Sequence, residues 1–539
     1  MKLKNIFSAV TAAAMLTACV GDLNTIPLNE TDVTSETAYG ADEAGYVQGL
    51  TKIYFQLVSN NTQDLQVADG GASEFIRAFW STQEVTADAA KCAWGDAWVN
   101  DLNNNTWKGD VLNDAVYAVY VRTLQGITYV NEYLRQTSDA NLDLRGCSAD
   151  VKAKVQEYRA EARFLRAYFY WAAMDTFGQV PFSTENTQFG GGYNPPQAPA
   201  AEIFDFIVSE LNDLASDGSA MPAAQSNYPR ADKGSVLGLL ARVYLNAEVY
   251  TGTAMWAEAK ATCEKIYSLG YALAPTHAEL FRGDNGENPD AKKEMLFAAS
   301  YNAEHTQSYG GTTYLTLSTL SGDDGAVNII GINGGWAGNR VPDHYVQTYF
   351  APTAADFATG DYTIADKRAY FYIKGRSQSM QDNLNTFLNG WSCIKFNNVP
   401  HDVDAVDYAA TAATKNFSDI DWPLIRLGEI HLIYAEACMH AGGDASAHVA
   451  ALAERAGVAA PATIDADFLM AERARELMWE GHRRTDLIRF GKWISGYNWT
   501  YKGGNFGGQD LPEHFNVFPV PSTELATNLD LQQNPGYAR

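Results

Sequence analysis

Apolar residues recur with helical spacing through two long stretches of the chain. Between 151 and 177 they are separated alternately by three and four positions, which predicts an amphipathic helix. The set comprises Val155, Tyr158, Ala162, Leu165, Phe169 and Ala172. Aromatic residues form an adjoining stripe, so we expect this helix to be buried on more than one side. It should end at Phe177-Gly178, because glycine commonly follows the last helical turn and Pro181 comes shortly after.

Similar periodicity predicts six further helices, which together form a mainly α-helical scaffold. Their ranges are about 112–136, 201–215, 231–250, 254–269, 423–440 and 467–491. The pair 231–250 and 254–269 is joined by a short turn and resembles the helix-turn-helix unit of tetratricopeptide repeats. The scaffold is therefore expected mainly within 110–271 and 423–491.

The rest of the chain lacks this periodicity. Residues 272–422 are rich in Gly, Asn, Asp, Thr and Tyr, which predicts loops with short strands at most. Binding residues concentrate on loops that a rigid scaffold holds in place. We therefore expect the ligand-binding part of a single fold, spanning 38–539, to lie mainly in 60–108, 272–422 and 496–516.

The first residues have the pattern of a lipoprotein signal. Lys2 and Lys4 precede a short apolar stretch that ends in Leu16-Thr17-Ala18-Cys19. This pattern predicts a signal peptide at 1–18, lipidation of Cys19 and a polar tether at 19–37. The alternative is a chance cysteine after an uncleaved helix. No apolar run reaches the ~18 residues that a membrane-spanning helix needs.

The net charge argues against a nucleic-acid-binding protein, and the cysteine content argues against zinc-thiolate and disulfide-rich proteins. The 539 residues include 39 Lys+Arg and 64 Asp+Glu, for a net charge of −25, which would repel a nucleic-acid backbone. The other cysteines are Cys92, Cys147, Cys263, Cys393 and Cys438. Their wide spacing, without a C-x-x-C pair, predicts neither a zinc-thiolate site nor a full disulfide framework.

Common catalytic motifs are missing: there is no G-x-S-x-G, H-E-x-x-H, P-loop or G-x-G-x-x-G sequence. The most densely charged segment, 472–491, carries Glu476 and Glu480 four positions apart, which could form an acid/base pair. The arginines of this segment outnumber those two carboxylates. We therefore predict an ion-paired structural helix with low carboxylate pKa values.

Five segments resemble, in order, the motifs of the SusD/RagB family of surface glycan-binding lipoproteins of Bacteroidetes. They are 161–182, 231–247, 423–437, 472–491 and 518–537, so the resemblance extends over essentially the whole chain. It implies tetratricopeptide-like helix pairs with an irregular part that carries the ligand site. It also implies a lipid-anchored protein at the outer membrane, facing the cell surface, that has no enzymatic activity and delivers glycans to a TonB-dependent SusC-like transporter.

Within that family, the chain resembles in particular the starch-binding founder. The founder's arc of two Trp and one Tyr, with an Arg nearby, falls in matching contexts at Trp94, Trp336, Tyr309 and Arg77. The founder's Asn falls near Ala97 instead, beside Asp96, so a shifted ligand preference stays open. Asp96 and Trp98 are additional candidate contacts. Aromatic faces stack on pyranose rings while planar polar groups bind hydroxyls, and a curved arc would select an α-glucan.

Other aromatic and acidic residues have competing interpretations. Trp171 and Trp479 lie within helical patterns and are assigned to the core, whereas Trp80 is a spare aromatic near the arc. Asp284, Asp419 and Asp421 offer oxygen ligands that suit calcium, although capping of polar loops explains them equally well. No cofactor is required.

Three alternative functions remain. The protein could bind another glycan, such as a fructan or a host glycan, in the same family role. A helical glycoside hydrolase would need two carboxylates about 5–9.5 Å apart across a cleft. A scaffold protein would use its helical repeats for protein contacts alone.

Overall fold

The computed structural model describes residues 38–60, 65, 67, 70–188, 190, 192–381, 383–411 and 415–539. Cys19, the predicted signal peptide and the predicted tether lie outside these residues. Within the described ranges, no helix combines the length and apolar character needed to cross a bilayer.

Helices form most of the regular structure, as predicted. In the first half they are α1 Ala44–Val58, α2 Phe75–Trp80, α3 Ala97–Asn104, α4 Asp114–Gln136, α5 Asp139–Leu144, α6 Ala149–Phe177, α7 Ala200–Ala215, α8 Lys233–Leu245, α9 Ala247–Thr251 and α10 Trp256–Tyr267. In the second half they are α11 Pro289–Glu294, α12 Gly311–Leu317, α13 Val327–Ile330, α14 Asp343–Tyr349, α15 Ala405–Ala409, α16 Leu427–Ala441, α17 Ser446–Ala456, α18 Ala466–Glu476, α19 Arg483–Arg489 and α20 Ser522–Thr527.

Successive helices pack against one another. α4 packs on α6, α6 on α7, α7 on α8, α8 on α10, and α10 on α16, which in turn packs on α18. The side chain of Ser148 accepts a hydrogen bond from Val151 N–H at the start of α6, and Gly178, with φ 72°, follows its last residue. Trp171 and Trp479 are 3% and 0% exposed, so both belong to the core as predicted.

The strands are short. They are β1 Lys91–Cys92, β2 Val180–Pro181, β3 Gln197–Ala198, β4 Met295–Ala299, β5 Asn339–Arg340, β6 Ala354–Asp356, β7 Asp361–Thr363, β8 Phe371–Tyr372, β9 Ser392–Cys393 and β10 Trp422–Arg426. They pair antiparallel as β1–β5, β2–β3, β4–β10, β6–β7 and β8–β9. The cysteines of the described part of the chain, which include all five that follow Cys19, are buried and free.

The bounds of three predicted helices differ from those in the structure. The helix expected at 231–250 divides at Asn246 into α8 and α9. The helix expected at 423–440 begins only at Leu427, because the preceding residues form β10 and pair with β4. The apolar pattern of this segment reflects burial on all sides, which a helix and a buried strand share.

The third difference lies in the charged segment, where α18 ends at Glu476 and α19 begins only at Arg483. Trp479 and Gly481 have φ of 64° and 80°, which interrupts the helix. Trp479 Nε1 donates to the Ala89 carbonyl at 2.9 Å, and Glu84 accepts from the Gly481 N–H at 2.8 Å. These contacts draw residues 477–482 toward the segment 84–89.

The prediction that this segment is ion-paired is confirmed. Arg426 Nη1 donates to Glu476 Oε1 at 2.7 Å, and Arg426 Nε donates to Glu480 Oε2 at 2.6 Å. Burial alone would raise the pKa of Glu476, but neighbouring arginines outweigh it and hold that pKa well below its usual range. They are Arg368, Arg426 and Arg455. The pKa of Glu480 is also lowered, since Arg426 and Lys395 outweigh the effect of burial.

Candidate functional site

Two of the three aromatic residues predicted to bind glycan are in ring contact, and the third is held against the loop that carries one of them. Tyr309 is 53% exposed, and its ring centroid lies 5.8 Å from that of Trp336 with 58° between the planes. Trp94 and Trp336 are half-buried and pack against the main core. We call Trp94, Trp336 and Tyr309 the aromatic platform.

The β1–β5 pair brings Trp94 to the Trp336 loop. Cys92 lies opposite Asn339, and Ala93 N–H donates to the Gly338 carbonyl at 2.8 Å. The Trp94 ring packs directly on Gly338: a Cβ there would lie 2.5 Å from Trp94 Nε1. Trp94 is therefore held beside a backbone position two residues beyond Trp336.

Arg77 lies beneath Trp94 rather than on the surface. It is 2% exposed, and its guanidinium carbon is 5.3 Å from the Trp94 ring and 4.4 Å from the Tyr314 ring. These cation–π contacts support Trp94 from the protein interior. A direct contact between Arg77 and a glycan stays a prediction.

Glu74, at the start of α2, supports Tyr309 in a corresponding way. This fully buried carboxylate accepts hydrogen bonds from Tyr301 Oη and Ser308 Oγ, and Ser308 Oγ accepts from Gly310 N–H at 3.0 Å. The segment that carries Tyr309 therefore wraps around Glu74. Burial raises the Glu74 pKa from 4.5 to about 7, against the lowering effects of these hydrogen bonds and of two arginines, Arg122 and Arg77.

The structure places the remaining predicted contacts differently. Asp96 is exposed next to the platform, immediately before α3. Trp98 is only 8% exposed and Trp80 is 0% exposed, so both belong to the core. Trp80 Nε1 donates to the Trp479 carbonyl at 3.1 Å, which corrects its interpretation as a spare surface aromatic.

Sequence reasoning missed three side chains at this site. Asn100 lies on α3, one turn beyond Ala97, the position near which the family resemblance led us to expect an amide. Asn385 Nδ2 donates to the Ala93 carbonyl at 3.1 Å and lies 3.4 Å from Asn100 Oδ1. Phe417 packs on Tyr309, with 5.1 Å between ring centroids. Helical spacing could have identified Asn100, but no local pattern identifies Asn385 or Phe417.

The three candidate calcium ligands line one cavity but do not form a cluster of three carboxylates. Asp284, Asp419 and Asp421 line one cavity of about 550 Å³. Among the described residues, however, no three His, Cys, Asp or Glu side chains are grouped closely enough to hold a metal ion.

Each of these carboxylates instead has protein donors. Asp284 accepts from the His401 N–H at 3.0 Å, and Asp419 accepts from the Ala303 N–H at 3.0 Å. Asp421 accepts from Tyr228 Oη at 2.6 Å, and burial raises its pKa to about 6. The three residues therefore fit the alternative of loop capping better than calcium.

Comparison with known proteins gives consistent results along the chain. A family model described as "SusD family" matches residues 270–537, and one described as "Starch-binding associating with outer membrane" matches 56–245. Starch-binding protein SusD of Bacteroides thetaiotaomicron is 31% identical, with 99% of each chain covered. SusD-like protein P2 of Formosa agariphila is 26% identical over 88% of this chain and 93% of its own. These relatives are named as binding or SusD-like proteins rather than as enzymes.

Solved structures show the same fold. A SusD superfamily protein from Parabacteroides distasonis has a TM-score of 0.70 at 21% identity, covering 94% of this chain and 100% of its own. Surface glycan-binding protein A from Bacteroides thetaiotaomicron, in complex with laminarihexaose, has a TM-score of 0.68 at 18% identity, covering 91% and 99%. The near-complete match to Starch-binding protein SusD and the agreement of fold show that the chain belongs to the SusD family.

Proposed function

We propose that the protein captures starch or a related α-glucan on the aromatic platform. The observation that carries this proposal is the ring contact between the exposed Tyr309 and Trp336, with Trp94 held against Gly338, two residues beyond Trp336. Aromatic faces of this kind stack on the apolar faces of pyranose rings. Because the planes of Tyr309 and Trp336 differ by 58°, consecutive sugars on the platform would have to change direction. A curved α-1,4-linked chain does this more readily than a straight one.

Polar groups beside Trp94 would bind sugar hydroxyls. Asn100 and Asn385 offer amide groups, and Asp96 offers an exposed carboxylate. Amides both donate and accept, which suits hydroxyls that do the same. Asn100 would then replace the amide that the family founder carries near Ala97.

We further propose that the protein works at the outer membrane, lipid-anchored through Cys19 and facing the cell surface, and passes glycan to a SusC-like TonB-dependent transporter. Membership of the SusD family and the lipobox pattern support this role. A barrel protein of that class should co-purify from native membranes in mild detergent. A monodisperse monomer under several detergents would contradict it.

A β-1,3-glucan is the second candidate ligand. A laminarin-binding SusD-like protein has a TM-score of 0.66 at 20% identity, covering 93% of this chain and 100% of its own. The amide expected near Ala97 is supplied here from Asn100, one turn further along α3, and this shift leaves room for a different linkage. By contrast, hydrolysis by Glu476 and Glu480 is disfavoured, because both carboxylates are buried and ion-paired.

Affinity electrophoresis against starch, pullulan, laminarin, inulin and xylan tests the proposal. We expect retardation by starch and pullulan, competition by cyclodextrin and no release of reducing ends. Single Ala substitutions of Trp94, Trp336 and Tyr309 should weaken binding roughly 2- to 12-fold, and the triple variant should bind almost nothing. Tyr193→Ala, at an aromatic residue outside the platform that is 41% exposed, is the matched control. Unchanged binding by a folded triple variant would refute the platform.

A further inference from the structure

Phe417 has a ring contact that packing in the core does not explain. The ring is half-buried, and its centroid is 5.1 Å from that of Tyr309 with 41° between the planes. In the described part of the chain, Phe417 is not among the residues of the apolar core clusters or those packed against them, whereas Trp336 is. Phe417 thus packs on an exposed aromatic residue at the edge of the platform.

Tyr309 stands between Phe417 and Trp336. Its ring contacts both, at centroid distances of 5.1 Å and 5.8 Å. Trp94 lies against Gly338, two residues beyond Trp336. Phe417 therefore extends the Trp336–Tyr309 ring contact by one further aromatic ring.

The backbone around Phe417 is attached to the element that follows Tyr309. Ser418 N–H donates to Thr313 Oγ1 at 3.0 Å, and Thr312 Oγ1 donates to the Ile420 carbonyl at 2.9 Å. Both threonines belong to α12, which begins two residues after Tyr309. Tyr309 and Phe417 are consequently positioned by the same helix.

A second attachment joins this segment to the Trp336 loop. Asn333 N–H donates to the Lys415 carbonyl at 2.8 Å, and Asn333 Nδ2 donates to Asn416 Oδ1 at 3.1 Å. Hydrogen bonds to α12 and to the Trp336 loop thus hold the backbone of segment 415–420. A ring held in this way loses little conformational entropy when a ligand stacks on it.

We propose that Phe417 forms a further glycan subsite that takes the pyranose ring beyond the one stacked on Tyr309. This inference rests on the proposed function, because it extends the same platform. The exposed Asn333 and Asn416 amides lie beside this position and offer donors and acceptors to sugar hydroxyls. A glucan long enough to reach Phe417 then binds more tightly than one that ends at Tyr309.

The test compares chain lengths. Affinities of the wild-type protein and of Phe417→Ala are measured by calorimetry for the series from maltotriose to maltoheptaose, and for the corresponding β-1,3-glucan oligosaccharides. We expect Phe417→Ala to weaken binding of the longest oligosaccharides roughly 2- to 12-fold and to leave the shortest ones that bind unchanged. Phe417→Tyr, which keeps a flat ring, should restore the dependence on length.

Phe55→Ala is the matched control, because Phe55 is 42% exposed on α1 and lies outside the platform. An equal loss at every chain length would mean that Phe417 only holds Tyr309, and it would overturn the subsite. Unchanged affinity of a folded Phe417→Ala variant for the longest oligosaccharides would overturn it as well. If the wild-type protein binds neither series, the proposed function fails together with the subsite. If it binds at least one series, the comparison of Phe417→Ala with wild type tests the subsite alone.

Discussion

Gly338 determines where Trp94 can lie. A Cβ at this position would be 2.5 Å from Trp94 Nε1, and the residue has φ of 115°, which side-chain-bearing residues rarely adopt. We expect Gly338→Ala to displace the Trp94 ring and to weaken glucan binding roughly 2- to 12-fold, the effect of losing one stacked ring. Affinity electrophoresis on starch measures this loss.

Gly252→Ala separates displacement of Trp94 from backbone strain. Gly252 also has a positive φ, of 76°, but a Cβ there would have no neighbour within 4 Å. This variant should lose some stability and keep full affinity. Equal affinity of the two variants would show that Gly338 does not position Trp94.

Glu74 makes the free energy of unfolding depend on pH in a way that can be measured. Its pKa is raised from 4.5 to about 7 in the folded protein, so the folded state binds this proton more strongly than the unfolded state does. Stability from this group is therefore present at low pH and is lost as pH rises from about 4.5 to about 7.

Glu74→Gln removes this titration. The free energy of unfolding of the variant, relative to wild type, should increase with pH by up to about 1.4 kcal/mol per unit in that window and level off above it. Urea denaturation at a series of pH values measures the difference, and the other groups that titrate cancel between the two proteins. A difference that does not change with pH would contradict the assignment.

At the scale of elements, an ion-pair network joins the end of β10 to three other segments. Arg426 contacts Glu294 of α11, Glu476 of α18 and Glu480 of the connection that follows. All four side chains are buried, so removing the arginine takes one counter-charge away from three buried carboxylates at once.

We expect Arg426→Met to lower the free energy of unfolding by ~3–5 kcal/mol, as measured by urea denaturation. Lys293→Met removes an exposed pair with Asp290 and should cost only about 0–1 kcal/mol. An effect of Arg426→Met as small as that of Lys293→Met would show that the network contributes little.

Helix prediction succeeded where one periodic pattern belonged to one helix. The pattern at 151–177 corresponds to α6, and that at 254–269 to α10. It failed at 423–440 and 467–491, where burial on several sides and contacts from residues 84–89 shaped the backbone. Local periodicity contains no information about such distant partners.

At the scale of the whole molecule, the main apolar core includes residues from Tyr46 to Leu531, so helices and loops both contribute to it. The lipobox at Cys19 lies before this core in sequence and would attach the protein to the membrane through the tether. The site would then act at the membrane without a spanning helix.

Cys19→Ala should abolish acylation and release the protein from membrane fractions, while starch binding by the released protein remains. Labelling with palmitate and fractionation measure the change. Cys147→Ala, at a buried cysteine of the core, is the control that should keep the label. A Cys19→Ala variant that still incorporates palmitate would contradict the anchor.

The sequence by itself determined the helical scaffold and the family, because these depend on local periodicity and on motifs that can be recognised in order, and it proposed the three residues of the aromatic platform. It also indicated that the charged segment is ion-paired, since arginines there outnumber the carboxylates. Only the tertiary structure decided that Arg77 and Glu74 lie beneath the platform and that Trp80 and Trp98 belong to the core. Only the tertiary structure also showed that Phe417 packs on Tyr309, although the two residues are more than 100 positions apart in sequence. Burial and ring contacts between distant residues arise from packing, which no pattern along the chain records.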